Sequence, residues 1–128
     1  MKKLIILLAI FSVSTFGELT AQDYVQLLKT QQYDKLETYL SPQVKVEINR
    51  DDKVLSRDRA IARLKEKLET FNIVKWEKMH NGTSNTEDSG YLIVKAFDKE
   101  NNGLRIFFYL EEKNGQKNIS AIRVRKLL

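Results

Sequence analysis

Apolar residues recur at helical spacing in the first half of the chain and at strand spacing in the second half. Two short helices are predicted near residue 22. Their apolar positions are Val25 and Leu28 in one helix, and Tyr33, Leu36 and Leu40 in the other. Asp23 and Asp34 are suited to cap them, because a carboxylate accepts hydrogen bonds from the free N–H groups of a first helical turn. Ser41 and Pro42 then end the second helix, since proline has no N–H to donate.

A strand, a turn and a longer helix follow. Apolar and polar residues alternate over Val44–Asn49, and this period of two is typical of a strand with one face in water. Arg50–Lys53 is the predicted turn, and the chain returns in a second strand at Val54. Ser56 then caps the longest helix. The apolar stripe of that helix consists of Ile61, Leu64, Leu68 and Phe71.

The pattern from Asn72 onward predicts four strands. They are Ile73–His80, Tyr91–Phe97, Leu104–Glu111 and Lys117–Val124. The loops between them contain Asn81-Gly82, Asn102-Gly103 and Asn114-Gly115, which are pairs typical of tight turns between antiparallel strands. Helices first and strands afterwards indicate an α+β domain, with three helices against one face of a single curved antiparallel sheet.

The assignment of side chains to sheet faces depends on treating Asn114-Gly115 as a two-residue turn. That register places Phe108 opposite Ala121, Leu110 opposite Ile119 and Phe107 opposite Ile122. One face then carries Leu92, Val94, Phe107, Tyr109, Ile122 and Val124. The other face carries Tyr91, Ile93, Phe97, Leu104, Ile106, Phe108 and Leu110. Because the helices cover one face only, the second apolar face predicts a homodimer or another partner packed against the sheet.

The N-terminal residues have the layout of a secretory signal peptide. Lys2 and Lys3 precede Leu4–Phe16, in which ten of thirteen residues are apolar and the others are Ser or Thr. This run is shorter than the roughly 20 residues that a helix needs to span a bilayer. We therefore expect export to the periplasm or the extracellular space without a stable membrane anchor.

Removal of residues 1–21 leaves residues 22–128 as a single domain, and Gly17 is the alternative cleavage site to Ala21. The loss of two lysines and one glutamate lowers the formal net charge from +5 to +4. An exported basic domain rarely meets nucleic acid. Anionic envelope surfaces, acidic glycans or acidic proteins are therefore the expected partners, and the simpler interpretation is that the positive charge serves solubility alone.

Composition excludes several kinds of chemistry. The chain has no cysteine and one histidine, which rules out disulfides, cysteine nucleophiles, and thiolate or two-histidine metal sites. It also lacks a glycine-rich phosphate loop, a Gly-x-Ser-x-Gly elbow and a ladder of carboxylates for calcium or magnesium. We therefore expect neither a metal nor a cofactor.

Four short motifs follow one another along the predicted strands. They are His80–Ser84, Gly90–Ile93, Gly103–Phe107 and Ile119–Val124. Their order and spacing resemble the exported bacterial family called domain of unknown function 4783, and the order of elements resembles the nuclear transport factor 2-like (NTF2-like), or cystatin-like, roll. The resemblance implies an exported cone-shaped domain, seen mostly in Bacteroidota, with no established activity. The chain departs from the family pattern in its long loop Asn85–Ser89 and at Val94, where a small residue is expected.

Arg105 and Arg123 are the candidate anion-binding residues, with Tyr109 and His80 as further ligand-binding candidates. A guanidinium group can bind a carboxylate or a phosphate through two parallel hydrogen bonds. In the register assumed above, the two arginines lie on opposite faces, so only one of them can line a given pocket. The simpler interpretation is that both are exposed arginines on a sheet.

His80 is the candidate general base near neutral pH, although a strand-end histidine bonded to the next turn is the simpler interpretation. Glu47 and Glu77 occupy strand positions that are predicted to face water, where a carboxylate is unsuited to acid–base catalysis.

These observations favour a non-enzymatic exported domain that binds a small ligand or an envelope protein through a cone pocket or the sheet face. The alternative is a small pocket enzyme of the isomerase, dehydratase or hydrolase type. In that case His80 is the base, and Tyr91 or Tyr109 donates a hydrogen bond to a developing oxyanion. Convergence of these groups on one cavity would favour the enzyme, and a filled cone would favour a purely structural envelope component.

Overall fold

The computed structural model describes residues 21–83, 89–113 and 115–127. The helices within these ranges are α1 (Ala21–Lys29), α2 (Tyr33–Glu37) and α3 (Arg57–Phe71). The strands are β1 (Leu40–Ile48), β2 (Asp51–Ser56), β3 (Lys75–Thr83), β4 (Ser89–Phe97), β5 (Gly103–Lys113) and β6 (Gln116–Lys126). Nearly all of the predicted signal peptide, most of the predicted loop after Thr83, and Asn114 lie outside the described residues. Within the described ranges, no helix combines the length and the apolarity needed to cross a membrane.

A single curved sheet of six strands, in the order β2-β1-β6-β5-β4-β3, forms the frame of the domain. The three helices lie against it, which confirms the predicted α+β class. All neighbouring strands are antiparallel except β1 and β6, which run parallel. The exception arises because the last strand of the meander returns to the middle of the sheet, where it pairs with the first strand of the N-terminal hairpin.

The space between the helices and the sheet is filled by side chains. Tyr24 of α1 stacks on Phe108 of β5 with 5.1 Å between ring centroids, and the two residues are 3% and 0% exposed. The predicted stripe of α3 is buried at Ile61, Leu64 and Leu68. Burial also raises the pKa of Tyr24, with smaller contributions from Tyr39 and Asp23. The interior of the cone is therefore a packed core.

The predicted boundaries of the N-terminal hairpin are wrong in two places. Leu40 begins β1 instead of ending a helix, and Pro42 lies inside β1, just before the residues that pair with β2. Proline is tolerated there because Pro42 itself has no register partner in β2 or in β6. The turn consists of Asn49 and Arg50, both at positive φ, with Ile48 pairing with Asp51. Two residues at positive φ match the right-handed twist of the flanking strands.

The predicted turn at Asn81-Gly82 is also wrong, since β3 continues to Thr83 and Gly82 pairs with Tyr91. The two-residue turn between β5 and β6 is confirmed by the pairing of Lys113 with Gln116, and Leu110 pairs with Ile119 as predicted.

An irregularity in β6 changes the register that follows this turn. Tyr109 pairs with Ala121 while Leu110 still pairs with Ile119, so Ser120 is an extra residue. Its hydroxyl donates a hydrogen bond to the carbonyl oxygen of Tyr109 (3.3 Å). A β-bulge of this kind moves every later side chain of its strand to the other face.

The predicted assignment of β5 to a sheet face is consequently wrong. Phe108 pairs with Ile122 and Leu92, and Phe107 pairs with Arg123 and Ile93. The helix-facing side therefore carries Leu92, Val94, Leu104, Ile106, Phe108, Ile122 and Val124. The other side carries Tyr91, Ile93, Phe97, Phe107 and Tyr109.

Candidate functional site

Aromatic and basic side chains share the face of the sheet opposite the helices, which we call the open face. Tyr91 pairs with Tyr109, and Ile93 pairs with Phe107. We call these four residues the aromatic patch. The rings of Phe107 and Tyr109 are stacked, with centroids 6.1 Å apart and an angle of 8° between their planes. None of the four belongs to the hydrophobic core cluster between helices and sheet. Ile93 is buried at 8% exposure, so the half-buried Tyr91, Phe107 and Tyr109 form the accessible part of the patch.

Three basic residues lie side by side at one end of this patch. Lys95 pairs with Arg105 across β4 and β5, and Arg105 pairs with Arg125 across β5 and β6. We call them the basic row. The Arg105 guanidinium carbon lies 5.9 Å from the ring centroid of Phe107, and the Lys95 ammonium lies 6.0 Å from that of Phe97. Cation–π contacts of this length hold the positive groups against the aromatic rings.

Glu47 of β1 is the carboxylate that balances the arginines of β6. Arg123 Nε donates to Glu47 Oε1 (2.7 Å), and Arg125 Nη2 donates to Glu47 Oε2 (3.2 Å). Arg123 Nη1 also donates to the hydroxyl of Tyr109 (3.3 Å) and lies beside its ring. The side chain of Glu47 is 11% exposed, so the prediction that it faces water is wrong: the long arginine side chains cover it.

Two opposing effects act on the pKa of the Glu47 carboxyl group. Desolvation is the largest single effect and raises this pKa, because a charged carboxylate loses contact with water. The hydrogen bond from Arg125 and the positive charges of Arg123 and Arg125 act in the other direction. Together they outweigh desolvation and hold the pKa of Glu47 below its ordinary value. Glu47 is therefore an ionised structural anchor for two arginines.

The open face contains three of the four predicted ligand-binding residues. Arg105 and Arg123 lie on it together with Tyr109, so the prediction that the two arginines occupy opposite faces is wrong. The extra residue at Ser120 is the physical cause, because it reverses the direction of the later β6 side chains. The backbone of His80 pairs with Ile93 of the patch, and the side chain of His80 lies outside the described part of the chain.

Two clefts formed by described residues lie away from the open face. One, of about 230 Å³, lies between the helices and β3 and is lined by Leu28, Tyr33, Leu68 and Trp76, among others. The other runs along the solvent side of α3. Neither includes Tyr91, Tyr109 or Arg105. Among the described residues, no cluster of three or more His, Asp or Glu side chains could hold a metal ion.

Sequence analysis missed Glu47, Lys95 and Arg125 as members of the site. A signal was present, because Glu47 follows Lys45 at a spacing of two and Arg125 follows Arg123 at the same spacing. Charges two residues apart on a strand share one face. The order of the strands in the sheet was the missing information. Glu47 lies beside Arg123 because β1 and β6 are parallel neighbours.

Comparisons with known proteins give the same fold. A DUF4783 family protein from Bacteroides ovatus is similar with a TM-score of 0.70 and 17% identity, over 81% of this chain and 92% of that chain. One from Bacteroides fragilis gives a TM-score of 0.69 and 19% identity, over 81% and 95% of the two chains. An NTF-2 like protein of unknown function from Silicibacter pomeroyi gives a TM-score of 0.55 and 16% identity, over 99% of this chain and 100% of that chain. These low identities bear on the fold alone.

The sequence matches none of the curated proteins. The family described as Domain of unknown function (DUF4783) matches residues 21–125, which is most of the chain. This protein therefore belongs to the DUF4783 family, and its fold is NTF2-like.

Proposed function

We propose that this protein is an exported, non-enzymatic binding domain that binds another protein through its open face. The aromatic patch is the observation that supports the proposal most directly. Tyr91, Phe107 and Tyr109 are half-buried in the isolated chain, and they lie outside the helix-side core. Tyrosine, phenylalanine and arginine are enriched at protein interfaces. A patch of these residue types on a sheet face is suited to a protein partner.

A packed interior is the feature expected of a purely structural component, but such a component does not need the aromatic patch. The patch therefore favours binding, and the packed interior favours the open face over a cone pocket as the binding surface. Tyr24 and Phe108 fill the centre of the space between helices and sheet. The cleft beside Trp76 measures about 230 Å³, which is below the roughly 300–1,000 Å³ of typical small-molecule pockets. The other cleft, of about 360 Å³, lies along the solvent side of α3 and is not part of the interior between helices and sheet. A partner that covers the open face needs no internal cavity.

The surroundings of Tyr109 support a binding role over catalysis. Its hydroxyl accepts a hydrogen bond from Arg123, which in turn is held by Glu47. A general acid or an oxyanion donor must point into a cavity beside a second positioned group. Tyr91 and Tyr109 instead lie side by side on the surface of a sheet, in an arrangement suited to contact with another surface.

The N-terminal pattern supports the export part of the proposal. Lys2 and Lys3 followed by the apolar run Leu4–Phe16 match a secretory signal peptide. The family match begins at Ala21, next to the predicted cleavage position. The basic chain would then meet the acidic proteins of the cell envelope.

Native mass spectrometry of the protein extracted gently from its own cell envelope tests the proposal. We expect the wild type to carry a protein partner that denaturation releases, and the double variant Phe107→Ser, Tyr109→Ser to lack it. The denatured chain should have the mass of residues 22–128, or of residues 18–128 if Gly17 is the cleavage site.

The matched control is Val54→Ser, Val74→Ser, which removes two apolar residues that are 65% and 64% exposed outside the patch. This variant should keep the partner. A wild-type chain without a partner, or a complex that survives in the Phe107→Ser, Tyr109→Ser variant, contradicts the proposal.

A homodimer is the second candidate, and the position of Glu111 favours it. Glu111 lies on the open face at the opposite end of β5 from Arg105, with the aromatic patch between them. A two-fold axis through the patch would place the basic row of one copy beside Glu111 of the other. A two-fold interface requires such a self-complementary surface.

A charge exchange tests the dimer by light scattering at tens of micromolar protein. Arg105→Glu and Glu111→Arg should each weaken dimerisation by about tenfold, because each creates a like-charge contact. The variant with both changes should dimerise like the wild type. A monomeric wild type, or no rescue in the double variant, rules this candidate out.

A further inference from the structure

We propose that Lys95, Arg105 and Arg125 form a carboxylate-binding subsite on the open face, and that its ligand is an acidic segment of a protein partner. This inference rests on the proposed function, since it names the chemistry that the partner presents to the sheet. The two can nevertheless fail independently, because the subsite and the aromatic patch consist of different residues.

The register of the basic row is the first observation. Lys95 pairs with Arg105, and Arg105 pairs with Arg125, on three neighbouring strands. Side chains directly opposite each other on a sheet lie about 5 Å apart at Cβ, and like charges in such pairs destabilise the sheet. Glu47 relieves this repulsion at Arg125, and a bound anion would relieve it between Lys95 and Arg105.

The carboxylates on the described part of the open face neutralise only the Arg125 end of this row. Glu47 is shared between Arg123 and Arg125. Glu77 pairs with Lys95 in the register, but its carboxylate contacts Lys75 Nζ at 3.1 Å. Lys95 and Arg105 have no salt bridge among the described residues, so the positive charge at the centre of the row is left for a ligand.

Arg105 has an unsatisfied hydrogen-bond donor. Its Nε atom is buried and donates no hydrogen bond within the described structure. The guanidinium lies over the ring of Phe107, which restricts its orientation. Nε and one Nη of a guanidinium form the fork that binds a carboxylate through two parallel hydrogen bonds. No acceptor in the described structure therefore holds the Nε side of this guanidinium, and no described carboxylate pairs with it.

The aromatic patch beside the row favours an acidic polypeptide over a free phosphate, since a polypeptide can contact both surfaces. Lys95 and Arg105, the two cations of the row without a salt bridge among the described residues, lie on neighbouring strands about 4.8 Å apart. Acidic residues at positions i and i+2 of an extended segment lie about 7 Å apart on one side. Two such carboxylates could contact the row, while apolar residues of the same partner contact the adjacent aromatic patch.

Fluorescence anisotropy with a labelled hexaglutamate peptide tests the inference at low ionic strength. Lys95→Gln and Arg105→Gln should each weaken peptide binding by about tenfold, since a hydrogen bond to a charged group commonly contributes that much. Neither change should destabilise the fold, because each removes a like-charge contact. Urea unfolding midpoints check this second expectation.

Lys113→Gln is the matched control, because Lys113 carries the same charge at the far, exposed end of β5. It should bind the peptide almost like the wild type. Equal weakening by Lys113→Gln and Arg105→Gln would mean that only net charge matters, and would overturn the inference. Inorganic phosphate at matched ionic strength should compete weakly. Complete competition by phosphate at equimolar concentration would identify a phosphate site instead.

The aromatic variant separates this inference from the proposed function. Phe107→Ser, Tyr109→Ser should lose the protein partner and keep at least part of the hexaglutamate binding. Peptide binding that depends on the basic row, in a protein that has no partner in the envelope, supports the subsite and contradicts the proposed function. If partner binding is lost in the patch variant but peptide binding is unaffected by Lys95→Gln and Arg105→Gln, the result supports the proposed function and contradicts the subsite.

Discussion

Replacing Phe108 with alanine is expected to lower the free energy of unfolding by about 3–5 kcal/mol, the usual cost of removing a buried aromatic ring from a packed core. Phe108 is 0% exposed and stacks on Tyr24. A domain of this size is stable by only about 5–15 kcal/mol. The variant should therefore lose much of its stability, because the helices cannot collapse fully into the space that the ring leaves.

Urea unfolding followed by circular dichroism measures this loss. The control is Phe107→Ala, one residue away on the same strand but on the open face. Its expected cost is about 1 kcal/mol, mainly the stacking contact with Tyr109. Equal losses in the two variants would contradict the assignment of Phe108 to the core. If Phe107→Ala were the more damaging change, the helices would have to cover the opposite face.

The elements of this fold could be predicted because their apolar residues are regularly spaced. The stripe of α3 is buried at Ile61, Leu64 and Leu68, as its period of 3.6 residues requires. The two-residue turn between β5 and β6 follows from an Asn-Gly pair. Both features are local, and local features depend on few residues.

The faces of the sheet could not be predicted in the same way. Apart from Arg105, both faces of β5 are apolar or aromatic from Leu104 to Leu110, so periodicity does not distinguish the core side from the open side. One extra residue at Ser120 then reverses the later part of β6. No sequence pattern marks that position, because serine occurs commonly in regular strands as well.

Only part of the candidate site could be predicted, because its assembly depends on the same irregularity in β6. Arg105, Tyr109 and Arg123 were identified by residue type, but their position on one face depends on the bulge. Glu47 joins them through the parallel pairing of β1 with β6, which links residues far apart in the sequence. Such a long-range contact follows from the order of the strands, and the strand order was not encoded in any local pattern.

Replacing Glu47 with glutamine is expected to destabilise the protein at neutral pH, less than Phe108→Ala but clearly more than a change at an exposed carboxylate. The reason is that Arg123 and Arg125 both lose their anionic partner. These two guanidinium groups then repel each other and the neighbouring Arg105. The matched control is Glu66→Gln, since Glu66 is an exposed carboxylate on the solvent side of α3.

The pH dependence of this difference gives the sharper measurement. The two arginines hold the pKa of Glu47 below its ordinary value of 4.5, so the unfolded chain takes up the proton more readily than the folded one. The stabilisation by Glu47 is therefore complete above the unfolded pKa and is lost as the pH falls through the lower folded pKa. The wild type and Glu47→Gln should differ most at neutral pH and converge in acid.

Urea midpoints measured from pH 7 down to pH 3 test this expectation. The pH dependence of the wild type alone does not isolate Glu47. Hydrogen bonds also lower the pKa of Asp58 and Asp98, and these groups add to the acid sensitivity of the whole protein. Subtracting the Glu47→Gln curve removes those shared contributions and isolates the Glu47 carboxylate. A difference that stays constant over this range would mean that Glu47 titrates alike in the folded and unfolded chains. In that case the arginines do not hold it as an anchor, and the charge pattern of the open face would have to be set by other groups.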